Sequence, residues 1–155
     1  MREHEPDRVV MEPRELQALW AEHLRGEFET KDVEATLDTM VDDADVNHVP
    51  VGTGGRGKAA LRAFYRDEFI PSWPDDLRMT LSNRVVGAGQ LVEELHLEFT
   101  HEKPMPWLLP GVPPTGRRIA MDLVVVATFR GRKLARERIY WDHAAVLRQA
   151  GLLRD

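Results

Sequence analysis

The hydrophobic pattern changes period about halfway along the chain, and this change limits the fold more than any other feature. In the first half the apolar residues recur at helical spacing. From Arg14 to Glu29, Leu16, Leu19, Trp20, His23 and Leu24 fall on one stripe, and Pro13 stands where a first-turn proline belongs. Asp32 is an N-cap candidate for a second helix through Val33, Leu37 and Met40. A third helix is predicted from Lys58 to Ile70, with Leu61, Phe64, Tyr65 and Phe69 on one side and Pro71 and Pro74 closing it. Between them, Asp42-Asp43-Ala44-Asp45 reads as a turn. Val46 to Val51 reads as a short strand carrying Asn47 and His48, and Gly52 to Gly57 as a flexible loop.

In the second half the period is two. Met79 to Gly87 and Gln90 to His101 read as strands joined at Gly87-Ala88-Gly89, with Leu91, Leu95, Leu97 and Phe99 on one face. Ile119 to Phe129 is apolar on both faces apart from Asp122 and Thr128, the pattern of a strand covered on both sides. Gly131-Arg132 reads as a hairpin turn, Leu134 to Asp142 as the last strand, and Ala144 to Gln149 as a short helix ending at Gly151. This order gives an α+β fold, three N-terminal helices packed on a curved antiparallel sheet. The second face of the 119–129 strand needs a cover. A second copy of the chain is the simplest one, so a homodimer through the sheet face is expected.

The chain's 155 residues suit one domain at 13–155 behind a charged arm at 1–12. There is no cysteine, which excludes disulfide scaffolds, thiolate metal sites and thiol nucleophiles. Any catalysis must rest on carboxylates, six histidines and two tyrosines. A formal charge of -5 disfavours a nucleic-acid partner. No stretch approaches the roughly 20 apolar residues of a membrane span, and the first ten residues carry no apolar signal core, so a cytoplasmic protein without a membrane partner is expected. Gly52 to Gly57 lacks the Gly-Lys-Ser/Thr ending of a phosphate loop, which argues against a nucleotide site.

Thr100-His101, Gly111-Val112-Pro113-Pro114-Thr115-Gly116-Arg117, Gly131-Arg132-Lys133-Leu134-Ala135-Arg136-Glu137, Tyr140-Trp141-Asp142 and Leu147-Arg148-Gln149-Ala150-Gly151-Leu152-Leu153 together resemble the SnoaL-like polyketide cyclase family. Asn47-His48-Val49-Pro50, Gly54-Gly55-Arg56-Gly57 and Phe64-Tyr65 fit as well. That family has the cone-shaped fold of nuclear transport factor 2. The resemblance implies an apolar pocket between sheet and helices, and acid–base chemistry without a cofactor. It also implies that Asp142, on the last strand, is the acid–base residue. Aldol-type cyclisation, isomerisation, and hydration or hydrolysis of a small hydrophobic carbonyl compound all fit. A non-catalytic binding or accessory module is the alternative, because the fold alone does not fix the function. A limonene-type epoxide hydrolase is a second alternative. It would need an arginine and an aspartate two residues apart on the strand beside the last one, whereas Arg118 and Asp122 are four apart.

Beside Asp142, the catalytic candidates are His101 and His48, since imidazole exchanges protons near neutral pH. Asp142 also reads as the N-cap of the last helix, His101 as a rim histidine, and His48 as a half-buried structural one. Substrate-binding candidates are Trp20, Asn47, Tyr65, Phe69, Trp107, Met121, Arg138 and Tyr140. Adjacent strand residues face opposite ways, so at most one of Glu137 and Arg138 points inward. Trp107 lies in a five-proline loop at 103–117, where a Trp-Leu-Leu segment is costly to expose, so the loop should fold over the pocket mouth or pack on a partner subunit. Glu94, His96 and Glu98 alternate on one strand face, but that face reads as solvated. No metal site and no cofactor are expected.

Overall fold

The computed structural model describes residues 11–153. Residues 1–10 of the expected arm lie outside them, and Met11, at the arm's end, is buried in the core. Helix α1 (Pro13–Phe28) opens on its proline. Helix α2 (Val33–Asp38) is capped as predicted, the Asp32 carboxylate accepting the Ala35 N–H at 3.1 Å. The two helices approach at Gly26, where an added Cβ would lie 2.5 Å from Thr36 Oγ1, so only glycine fits.

Strand β1 (Met40–His48) takes in the acidic run that reads as a turn. Its register against the last strand shifts between Met40 and Asp45. This bulge leaves Asp42 and Asp43 exposed, paired with Lys58 and Arg130, while Met40, Ala44, Val46 and His48 stay inside. The glycine loop is also ordered: β2 (Thr53–Arg56) pairs antiparallel with β1. At Gly54, with φ +135°, a Cβ would fall 1.9 Å from the Val46 carbonyl oxygen, so this pairing requires glycine. Helix α3 (Lys58–Phe64) is regular only to Phe64. The chain continues through a π turn at Tyr65–Phe69 and a 3-10 turn at Ile70–Ser72. The predicted third helix is therefore three kinds of helix in succession.

β3 (Arg78–Gly87), β4 (Gln90–Thr100), β5 (Arg118–Arg130) and β6 (Lys133–Tyr140) complete a six-stranded sheet in the order β2-β1-β6-β5-β4-β3. Neighbours run antiparallel except β1 and β6, which are parallel, a departure from the expected wholly antiparallel sheet. The β5–β6 hairpin turns at Gly131 and Arg132, both at positive φ, as a two-residue turn of this hand requires. Helix α4 (His143–Gln149) follows.

The concave face buries Leu91, Leu97, Phe99, Leu123, Val125 and Ile139 beneath the helices, each such side chain worth about 1.5–3 kcal/mol. The convex face of β5 is mixed: Ala120 and Asp122 are exposed, and Val124, Val126 and Thr128 are half-buried. The strand that reads as covered on both sides thus has one covered face within the single chain. The proline-rich segment folds inward against its own chain. Met105, Trp107, Leu108 and Leu109 are buried, and the Thr53 hydroxyl donates to the Trp107 carbonyl at 2.6 Å. No helix among the described residues is long and apolar enough to cross a membrane.

Candidate active site

Between α1, the π turn and the concave sheet lies a cavity of about 250 Å³. Its walls are mostly aromatic. His48 lies 5.5 Å from Phe64 and 5.2 Å from Trp107 between ring centroids, and Trp73 and Trp107 are 5.1 Å apart. The wider π turn brings both Tyr65 and Phe69 to this wall. The buried indole nitrogens of Trp20, Trp73 and Trp107, all wall residues, have no hydrogen-bond acceptor among the described residues.

The polar part of the site is assembled from three elements. α1 places His23 and Glu27 one turn apart on the stripe that carries Leu16 and Trp20. β6 adds Glu137 and the π turn adds Tyr65. The Thr39 hydroxyl donates to the Thr36 carbonyl at 2.6 Å, so it accepts the Nδ1–H of His23 at 2.7 Å. That bond turns Nε2 toward the carboxylates: it contacts Glu27 Oε1 and lies 3.4 Å from Glu137 Oε2. Both contacts are charge pairs between buried groups. The Tyr65 hydroxyl donates to Glu137 Oε2 at 3.4 Å.

All four side chains are buried, and their charges govern one another. Burial opposes the charge on His23, but Glu27 and Glu137 outweigh it and raise its pKa to about 10. Burial lifts the Glu27 carboxyl above the ordinary carboxylate range, against the pull of His23. Burial and then Glu137 hold the Tyr65 phenol well above its usual value, so it stays a donor. Burial takes His48 down to about 4, and its Nδ1–H donates to the Thr53 carbonyl at 3.1 Å, so His48 is a neutral acceptor through Nε2. The donor atoms of His23, Glu27 and Glu137 lie within 4.8 Å of one another, close enough to share a metal ion.

A second polar pair, Arg84 and Glu93, joins β3 to β4, the guanidinium Nε donating to Glu93 Oε1 at 2.8 Å. Glu93 is opposite Val125 and Glu137 opposite Ala127, so the two glutamates are two strands apart and two residues out of step. Strand spacing puts them roughly 12 Å apart, too far to work on one bond together.

Of the residues singled out in the sequence, Trp20, His48, Tyr65, Phe69 and Trp107 line this cavity. The others do not. Asp142 is exposed at the N-terminus of α4, where its carboxylate accepts the Ala145 N–H at 3.0 Å; the geometry gives it the cap. His101 is buried at the base of the proline-rich loop, its Nδ1 accepting the Thr115 N–H at 3.2 Å. Asn47, Arg138 and Tyr140 fall on the convex phase of their strands, and Met121 is in the core beyond the cavity wall. Of the pair left open, Glu137 faces inward. Arg118 and Asp122 are exposed on the convex face, Arg118 pairing with Glu98 at 3.4 Å, which removes the arrangement an epoxide hydrolase would need. Sequence reasoning missed Glu27, Trp73, Arg84 and Glu93, and read His23 only as part of the apolar stripe of the first helix. For Glu27 a signal existed: with His23 it puts two ionisable residues on an otherwise apolar helical stripe.

The profile of the SnoaL-like domain matches residues 20–137. No functionally curated protein matches the chain. Among solved structures, TsrD from Streptomyces laurentii is 21% identical with a TM-score of 0.71, the match covering 92% of this chain and 99% of that one. A putative SnoaL-like polyketide cyclase from Jannaschia sp. CCS1 is 18% identical with a TM-score of 0.70, covering 97% and 100%. AclR, a putative hydroxylase from Streptomyces galilaeus, is 17% identical with a TM-score of 0.67, covering 93% and 89%. At these identities the solved structures establish the shared fold, that of the nuclear transport factor 2-like proteins, and with a family profile spanning most of its length the chain belongs to the SnoaL-like family.

Proposed function

We propose that the chain is an enzyme that moves a proton on a small, hydrophobic carbonyl compound held in the cavity, with Glu137 as the base. The observation that carries this reading is a glutamate on an apolar cavity wall, held against a buried imidazole and a phenol. Glu137 would take a proton from the carbon beside the carbonyl. The C–H electron pair then becomes the enolate double bond, and negative charge develops on oxygen. The unpaired indole N–H groups of Trp20, Trp73 and Trp107 offer donors for that oxygen. The enolate can be reprotonated elsewhere, which is isomerisation, or attack a second carbonyl of the same molecule, which is aldol-type cyclisation. His23, through Nε2, stabilises the Glu137 carboxylate, and the bond to Thr39 fixes the orientation of its ring. No cofactor is needed for these steps.

Deuterium exchange tests this without knowledge of the natural substrate. In D2O the protein should exchange the α-protons of a member of a panel of cyclic ketones, read by mass spectrometry. Glu137→Gln should lose at least about a hundredfold of that rate. Binding of the ketones with no exchange by the native protein would favour a binding module instead. The homodimer is likewise proposed, through the half-buried Val124 and Val126 on the convex face. Sedimentation as a monomer at micromolar concentration would refute it.

A further inference from the structure

The cavity has a neighbour. A groove of about 410 Å³ shares Phe28, Trp73 and Met79 with it as a common wall. The wall is thin. The Phe28 and Trp73 rings lie 5.0 Å apart between centroids, and Met79 is 38% exposed on the edge strand β3, an unbranched side chain free to swing aside. Two charged residues line the groove, Lys31 and Asp75. Asp75 is already paired with Lys103 Nζ at 3.1 Å. Lys31 is exposed in the turn between α1 and α2, at φ +51°, and among the described residues it has no ion pair or hydrogen-bond partner through its side chain. Glu27 and Glu137 thus line the cavity, while Lys31, without an ion pair among the described residues, lines the groove beyond the shared wall. An anionic group is repelled from the first and attracted to the second.

We propose that the natural ligand is an elongated organic acid: its ring-bearing, apolar body fills the aromatic cavity, and its single anionic group passes Met79 into the groove, beside Lys31. The proposal rests on the reading of the cavity as a ligand site, and one pair of probes separates the two. Dansyl-6-aminohexanoate and its carboxamide have the same body and differ by one charge. Their binding is read from dansyl emission. The native protein should bind the carboxylate about three- to fivefold more tightly than the amide, the scale of one solvent-exposed ion pair, and 0.5 M salt should erase the difference. Lys31→Glu should remove or invert the preference while amide affinity stays within twofold. Lys31→Asn, a residue that tolerates the left-handed backbone, should remove it without inversion. Near-ultraviolet circular dichroism confirms that both variants are folded. Equal binding of acid and amide by the native protein, or an unchanged preference in both variants, overturns the anionic group at Lys31 and leaves the cavity reading standing. Binding of neither probe overturns both.

Discussion

His23 with Glu27 and Glu137, and His96 with Asp122 and Glu98, are the same chemical set on opposite sides of one sheet. In the first set the three side chains are 0%, 5% and 8% exposed; in the second they are 40%, 82% and 38% exposed. The contacts are similar in kind. His96 Nδ1 lies 2.7 Å from Asp122, and Nε2 lies 3.5 Å from Glu98. Both imidazoles are raised above their ordinary pKa, His96 chiefly by its hydrogen bond to Asp122. What separates them is water. Around His96 the solvent screens every charge and can replace any partner. Around His23 nothing else can, so removing one member leaves the others buried without compensation.

The sharpest way to break this comparison is to delete the buried imidazole. His23→Ala should cost about 3–5 kcal/mol in urea unfolding. The native protein should also lose stability as the pH rises. The folded value of His23, about 10, lies above its ordinary 6.5, so the folded chain holds the proton more tightly than the unfolded chain does. Stability from that proton is complete below about pH 6.5 and is lost toward pH 10. The raised carboxyl of Glu27 acts in the same direction. His23→Gln should flatten the slope between pH 7 and 10. An unchanged slope would mean that the cluster does not hold its charge as the geometry requires.

The two sets also show what could be read from sequence. Glu94, His96 and Glu98 alternate on one strand and were visible as a cluster that solvent would neutralise; their period is local and unbroken. The buried set comes from a helix, a strand about 110 residues away and a π turn, and no local period joins them. Even the orientation of Glu137 was hidden. Leu134 and Glu137 are both buried although three residues apart, because the β5–β6 register shifts between Thr128 and Phe129, and that irregularity reverses the alternation counted from Leu134. The aromatic wall was easier. Trp20, Tyr65 and Phe69 sit on helical stripes, and Trp107 was too apolar for an exposed loop. Element order was legible because each element carries its own period. The π turn and the β1 bulge were not, because each departs from a regular period only after tertiary contacts fix it.

Asp142 stands between the two sets: a carboxylate with one fixed partner and an exposed position. The cap geometry predicts that Asp142→Ala costs about 1 kcal/mol, through the lost bond to the Ala145 N–H. Asp142→Asn, which keeps the acceptor, should cost less. Neither should change the ketone exchange rate beyond twofold. A hundredfold loss in the folded Asn variant would return the base to Asp142 and take it from Glu137.

The smallest effect belongs to the exposed set and is the control for the whole comparison. His96→Ala removes an imidazole with two carboxylate contacts, as His23→Ala does. A count of contacts would therefore rank the two substitutions together. Exposure ranks them far apart: water reoccupies the space and solvates Asp122 and Glu98, already largely hydrated at 82% and 38% exposed. The melting temperature of His96→Ala should stay within the scatter of repeated melts, and its exchange rate should match the native one. A loss approaching that of His23→Ala would show that the proposed dimer contact reaches beyond Val124 and Val126 to cover this exposed cluster. The partner covering it would then be a second copy of the chain seated on β4 and β5, and sedimentation of the same variant would show whether that copy leaves with the imidazole.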